Sequence, residues 1–135
     1  MQLKPRHAGG TTRVLIVEDD ASLVELIRET LLAEGFAVDA AGSSQAALRK
    51  ARAGRYDILL LDLILPDADG VILYGKLKNM LPGIGNKTVF MSGFSTETPV
   101  TDYLKSLGAA FLQKPFRSAD LLEAVIRLSD RTNAH

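Results

Sequence analysis

The apolar pattern of the chain begins with Val14-Leu15-Ile16-Val17, a short aliphatic run with charge on both sides. An unbroken run of that kind predicts a strand buried on both faces. Ile58-Leu59-Leu60-Leu61 and Thr88-Val89-Phe90-Met91 repeat the signal. Phe36 to Ala40 and Ala110 to Gln113 carry weaker strand patterns. Between these runs apolar residues recur at helical spacing. Leu23, Leu26, Ile27 and Leu31 mark a first helix, stopped by Gly35. Ser43 or Ser44 caps a second, which runs to about Ala53. A third follows the loop Pro66-Asp67-Ala68-Asp69-Gly70 and ends near Leu81, closed by Pro82-Gly83. Asp67 and Asp69 read as turn residues there. Thr98-Pro99 reads as the cap and first residue of a fourth helix. Its stripe of Val100, Tyr103, Leu104 and Leu107 is expected to pack in the core, with Gly108 as the stop. Leu121, Leu122, Val125 and Leu128 mark a fifth helix.

Strands alternating with helices predict an α/β fold with helices on both faces of a parallel sheet. Crossovers in such sheets are right-handed, which leaves few topologies. The expected fold is flavodoxin-like: a doubly wound, five-stranded sheet in the order 2-1-3-4-5, with five helices. One domain over residues 13–130 is expected, between a disordered N-terminal tail, 1–12, and a C-terminal tail, 131–135.

Composition narrows the function. The 16 basic and 16 acidic residues balance, which argues against a surface built to grip nucleic acid. The absence of cysteine excludes disulfides and thiolate metal sites, and suits the cytoplasm. No apolar run reaches the roughly 18 residues of a membrane span. Met1 to Arg13 lacks the apolar centre of a signal peptide. His7 and His135 have no partner at ligand spacing and are expected in solvent.

In open α/β sheets the functional crevice lies beyond the carboxyl ends of the strands. Glu18 and Asp19 follow the first strand, Asp62 ends the third, Ser92 ends the fourth and Lys114-Pro115 follows the fifth. Three carboxylates, a hydroxyl and an ammonium thus converge from four segments. Crowded carboxylates repel unless a cation intervenes. Oxygen ligands and few protein groups suit Mg2+, which often bridges to phosphate. Asp62 can serve as a metal ligand or as a nucleophile that accepts a phosphoryl group. Mg2+ and Lys114 would supply the positive charge that such a transfer needs, and Ser92 a hydrogen bond.

Val17-Glu18-Asp19-Asp20, the run Asp62 to Gly70, Met91-Ser92-Gly93 and Lys114-Pro115-Phe116 together resemble the motifs of response regulator receiver domains, over roughly residues 12–130. The resemblance implies that Asp62 is the phosphorylated residue. It implies that Asp19 ligates the metal directly, that Glu18 reaches it through water, and that the backbone carbonyl of Ile64 completes the shell. It makes Ser92 and Lys114 the catalytic pair, Ser92 and Phe111 the switch pair, and Lys114-Pro115 a candidate cis bond. Ser92, Gly93 and Phe111 stand where Thr, Ala and Tyr are commoner. Ile64 and Phe94 are apolar at positions that tune phosphoryl lifetime, so slow self-dephosphorylation is expected.

The implied function is that of a single-domain response regulator rather than a turnover enzyme. Asp62 would take its phosphoryl group from a phosphohistidine on a sensor histidine kinase or a phosphotransfer protein. Output would pass to a protein target through the face of the fourth helix, fifth strand and fifth helix, without direct nucleic-acid or membrane binding, in a monomer or a phosphorylation-dependent dimer. A receiver cut from a hybrid kinase, or a phosphorelay intermediate, is the alternative. A flavodoxin-like small-molecule binder fits poorly, because Glu18-Asp19-Asp20 would repel phosphate without a metal.

Overall fold

The computed structural model describes residues 6–7, 10–93 and 98–133. Five parallel strands form one sheet: β1 (Arg13–Val17), β2 (Ala37–Ala41), β3 (Ile58–Asp62), β4 (Thr88–Ser92) and β5 (Ala110–Gln113). Their spatial order is 2-1-3-4-5, the expected flavodoxin-like order. The helices are α1 (Ala21–Ala33), α2 (Ser44–Ala53), α3 (Gly70–Met80), α4 (Pro99–Ser106) and α5 (Ser118–Asn133).

The aliphatic strands lie where their composition requires. Every residue of β3 and of β4 is buried, as are Val14 to Val17 of β1. Alternation divides them between two cores. Leu15, Val17, Leu59, Leu61 and Phe90 face α2, α3 and α4, while Val14, Ile16, Leu60, Val89 and Met91 face α1 and α5. Burying each large side chain contributes about 1.5–3 kcal/mol, which holds the strand ends in a fixed array.

The helix starts follow local chemistry. The side chain of Asp20 accepts from the N–H groups of Ser22 and Leu23, and that of Ser43 from Ala46 N–H. Thr98 and Thr101 form a reciprocal capping box around Pro99. Gly35 and Gly108, at φ 93° and 91°, end α1 and α4 in the left-handed conformation that glycine tolerates.

Three expectations are corrected. Arg6–His7 pairs antiparallel with Gly10–Thr11, and Thr12 is fully buried, so part of the segment expected to be a disordered tail is structured. α5 runs on to Asn133, past the expected boundary at residue 130. In α4 the core takes only Leu104 from the expected stripe, together with Thr101. Val100, Tyr103 and Leu107 face outward, because the helix is turned to bury its Thr101/Leu104 side. A 3-10 turn, Ile84–Asn86, also precedes β4 and was not foreseen. The side chain of His7, and all of Phe94 and His135, lie outside the described residues.

Gly70 is needed for space. A Cβ there would stand 2.7 Å from Leu63 Cα and 2.9 Å from its carbonyl carbon, and closer still to the carbonyl oxygen of Asp62. Gly70→Ala is therefore expected to destabilise the protein by about 1–3 kcal/mol, measured by urea unfolding, because backbone must move. A change within roughly 0.5 kcal/mol would mean that the loop yields freely.

Candidate functional site

The site is built from strand ends. Beyond β1 the ladder continues one residue further, as Glu18 N–H donates to Ala41 O at 3.0 Å. That extension draws Glu18 under the surface, to 2% exposure. Its Oε2 accepts from Asp20 N–H at 3.0 Å. Asp62, 5% exposed, ends β3; its Oδ1 accepts from Ile64 N–H at 3.0 Å. After β5, Lys114 N–H donates to Ser92 O at 2.7 Å, and the Lys114–Pro115 bond is cis.

These anchors bring the charges together. Lys114 Nζ lies 2.6 Å from Glu18 Oε1 and 3.0 Å from Asp62 Oδ2. Carboxylate oxygens of Glu18, Asp19 and Asp62 lie within 4.8 Å of one another, with Asp19 on the exposed side. Burial pushes the Glu18 carboxyl up from its usual range; bonds from Lys114 and Asp20 oppose this, and the charge of Asp62 adds to it. Burial alone would lower Lys114, but hydrogen bonds and charge from Glu18 and Asp62 outweigh it and leave the ammonium raised.

Three carboxylates thus stand against a single ammonium. Glu18 Oε1, though buried, meets no polar group besides the ammonium of Lys114 among the described residues. An all-oxygen donor set with excess negative charge and an open side at Asp19 fits a hard divalent cation such as Mg2+.

Ser92 and Phe111, expected as a switch pair, stand on the neighbouring strands β4 and β5. Ser92 is 2% exposed at the end of β4 and pairs in register with Gln113. Phe90 and Phe111 are register partners with stacked rings, 5.5 Å between centroids and 27° apart in plane. Alternation places Phe90 and Ser92 on one face of β4, so the ring and the hydroxyl share a side of the sheet. Lys105 Nζ sits 5.6 Å from the Phe111 ring centroid.

Two residues read as simple turn formers have further roles. Asp67 accepts from Ser44 N–H at 2.9 Å, Ser44 Oγ at 2.8 Å and Gln45 N–H at 3.3 Å, fastening the loop after β3 to the start of α2. The Ser44 bonds hold its carboxyl below the usual range. A cap supplied from 23 residues away leaves no local sequence signal. Asp69 caps α3 by accepting from Val71 N–H at 2.7 Å, and the acid-Gly step at its start was a signal that could have found it.

The family model for the response regulator receiver domain matches residues 14–126, which include four whole strands of the parallel sheet, all but the first residue of β1, and each group of the site. The chain belongs to the response regulator receiver domain family. The receiver domain is similar to the DNA-binding response regulator MtrA of Mycobacterium tuberculosis, 33% identical over 113 residues, covering 84% of this chain and 48% of MtrA. It thus spans about half the length of the curated relatives it matches. A CheY-like receiver domain protein from Methanospirillum hungatei superposes with a TM-score of 0.81 at 28% identity, covering 91% of this chain and 97% of that one. TrrA of Thermotoga maritima, solved in complex with Mg2+ and BeF, superposes at 0.74 with 27% identity, covering 87% and 99%. No described helix of the receiver domain is long and apolar enough to cross a membrane.

Glu18 makes the metal site testable through stability. A carboxyl raised in the fold stabilises it below the unfolded value, near 4.5, and loses that contribution as pH rises through its folded value. Metal-free Glu18→Gln is therefore expected to exceed the parent in stability at neutral pH, with the gain fading toward pH 4.5. The same change should weaken Mg2+ binding by about 10–100-fold. Unfolding midpoints across pH in chelator, with a Mg2+ titration, check both; unchanged affinity would remove Glu18 from the site.

Proposed function

We propose that Asp62 accepts a phosphoryl group from a phosphohistidine on a sensor kinase or a phosphotransfer protein, and that the modified domain signals through the face of α4, β5 and α5. The observation that carries this reading is the ammonium of Lys114 at 3.0 Å from Asp62, beside two further carboxylates at the strand ends. A carboxylate oxygen of Asp62 bonds to phosphorus as the donor's P–N bond breaks, and the electron pair stays on the imidazole nitrogen. Glu18, Asp19, Asp62 and the Ile64 carbonyl would hold Mg2+, which supplies positive charge to the phosphoryl oxygens. Lys114 leans on the same oxygens. Ser92 donates to one of them and, in moving toward it, frees space that the Phe111 ring follows.

The domain is not a turnover enzyme, although it assists its own phosphorylation and slow dephosphorylation. We place it in the cytoplasm. Ile64, two residues after Asp62, is apolar and cannot orient an attacking water, so the acyl phosphate is expected to outlast minutes. A half-life of seconds in purified protein with Mg2+ would contradict that.

The test is incubation with acetyl phosphate and Mg2+, followed by intact mass measurement. One phosphoryl group is expected, and none in excess chelator. No uptake, or equal uptake without the metal, would overturn the reading.

A further inference from the structure

The apolar stripe that α4 leaves out of the core stands on a larger exposed face. Leu26 and Leu32, on α1, are exposed large apolar residues elsewhere. Of the others among the described residues, Ile64 in the loop before α3, Ile72 on α3, and Val100 and Tyr103 on α4 lie together, and Leu107 caps the far end of α4. Ile72 is 62% exposed, Tyr103 59% and Val100 51%. Such clustering is uncommon on a surface with no partner. Val71, Ile72, Pro99, Val100 and Tyr103 line a groove of about 460 Å³ between the two helices. Its upper end shares Asp69, Val71 and Val100 with a recess that reaches Ile64 and Ser92, beside the loop of Asp62. Gly75, one turn beyond Ile72, has nothing within 4 Å of where a Cβ would stand, so a neighbouring backbone can come close.

The charge at the ends of the face identifies its occupant. Asp69 lines the groove at the start of α3, and helical spacing puts Lys76, about one turn beyond Ile72, on the same side of that helix. Neither makes an ion pair among the described residues. They are seven positions apart, roughly 10 Å along the helix. A two-fold axis perpendicular to α3, crossing near Ile72, reverses the ends and sets Asp69 of each copy against Lys76 of the other. The apolar residues between them then meet their own counterparts. A face that is complementary to itself in this way suits an isologous pair.

We infer that two copies of this chain pair through α3 and α4, antiparallel, with Ile72 close to the two-fold axis. The interface abuts the loop of Asp62 and does not rest on that residue being phosphorylated.

The absence of cysteine gives a direct test. Ile72→Cys, treated with diamide, is expected to form a disulfide-linked dimer, because a residue near the axis meets itself. Leu26→Cys, on α1, is expected to form no disulfide-linked dimer under the same treatment. In sedimentation over a concentration series, the parent is expected to show a monomer–dimer equilibrium. Ile72→Ser with Val100→Ser, both on exposed residues, should raise the dissociation constant at least about tenfold, and Lys76→Glu should raise it too. A parent that sediments as monomer throughout overturns the inference. So does a dimer indifferent to these substitutions, or one that crosslinks at Leu26.

Discussion

Asp62→Asn is expected to take up no phosphoryl group from acetyl phosphate in Mg2+, where the parent takes up one. The carboxamide lacks the anionic oxygen that forms the bond, and it removes one of the three carboxylates of the cluster. The loss should be complete. It should also occur in a folded protein, since relieving charge among buried carboxylates does not cost the metal-free fold a hydrophobic contact. Circular dichroism and urea unfolding beside the mass measurement separate loss of chemistry from loss of structure. Uptake retained in this variant would transfer the acceptor role to another residue.

Lys114→Met carries the second large effect. Its ammonium touches Glu18 and Asp62, whose side chains are 1% and 7% exposed. Removing it strands two buried carboxylates, and breaking a buried pair on one side typically costs about 3–5 kcal/mol. The cost should be largest at neutral pH in chelator. It should shrink as pH falls, because Glu18, already raised by burial, can then bind a proton. Mg2+ should recover part of it by replacing the lost positive charge. Urea unfolding with and without Mg2+ measures each difference. A change below about 0.5 kcal/mol would reduce Lys114 to an ordinary surface residue.

The framework was legible because the chain states it redundantly. Runs such as Ile58 to Leu61 have no polar face, so they fit only where helices cover both sides of a sheet. Once their order is known, topology brings Glu18, Asp62 and Lys114 to one edge, and the structure closes them to ion-pair distance. α4 was misread for a physical reason. Val100 and Tyr103 on one side, and Thr101 and Leu104 on the other, both recur at helical spacing, and spacing alone does not say which side the sheet will cover. The Asp67 cap on α2 is nonlocal and becomes visible only when the two segments meet. The early pairing of Gly10–Thr11 was hidden by a glycine-containing, polar composition that resembles a loose tail.

The central claim is tested most directly by locating the phosphoryl group itself. After treatment with acetyl phosphate and Mg2+, borohydride reduction converts an aspartyl phosphate to homoserine, and peptide mass mapping then reads the position. Homoserine at residue 62 alone, absent when Mg2+ is chelated, is the expected result. A modified residue elsewhere, Ser92 included, or a map without any change at Asp62, would contradict the account.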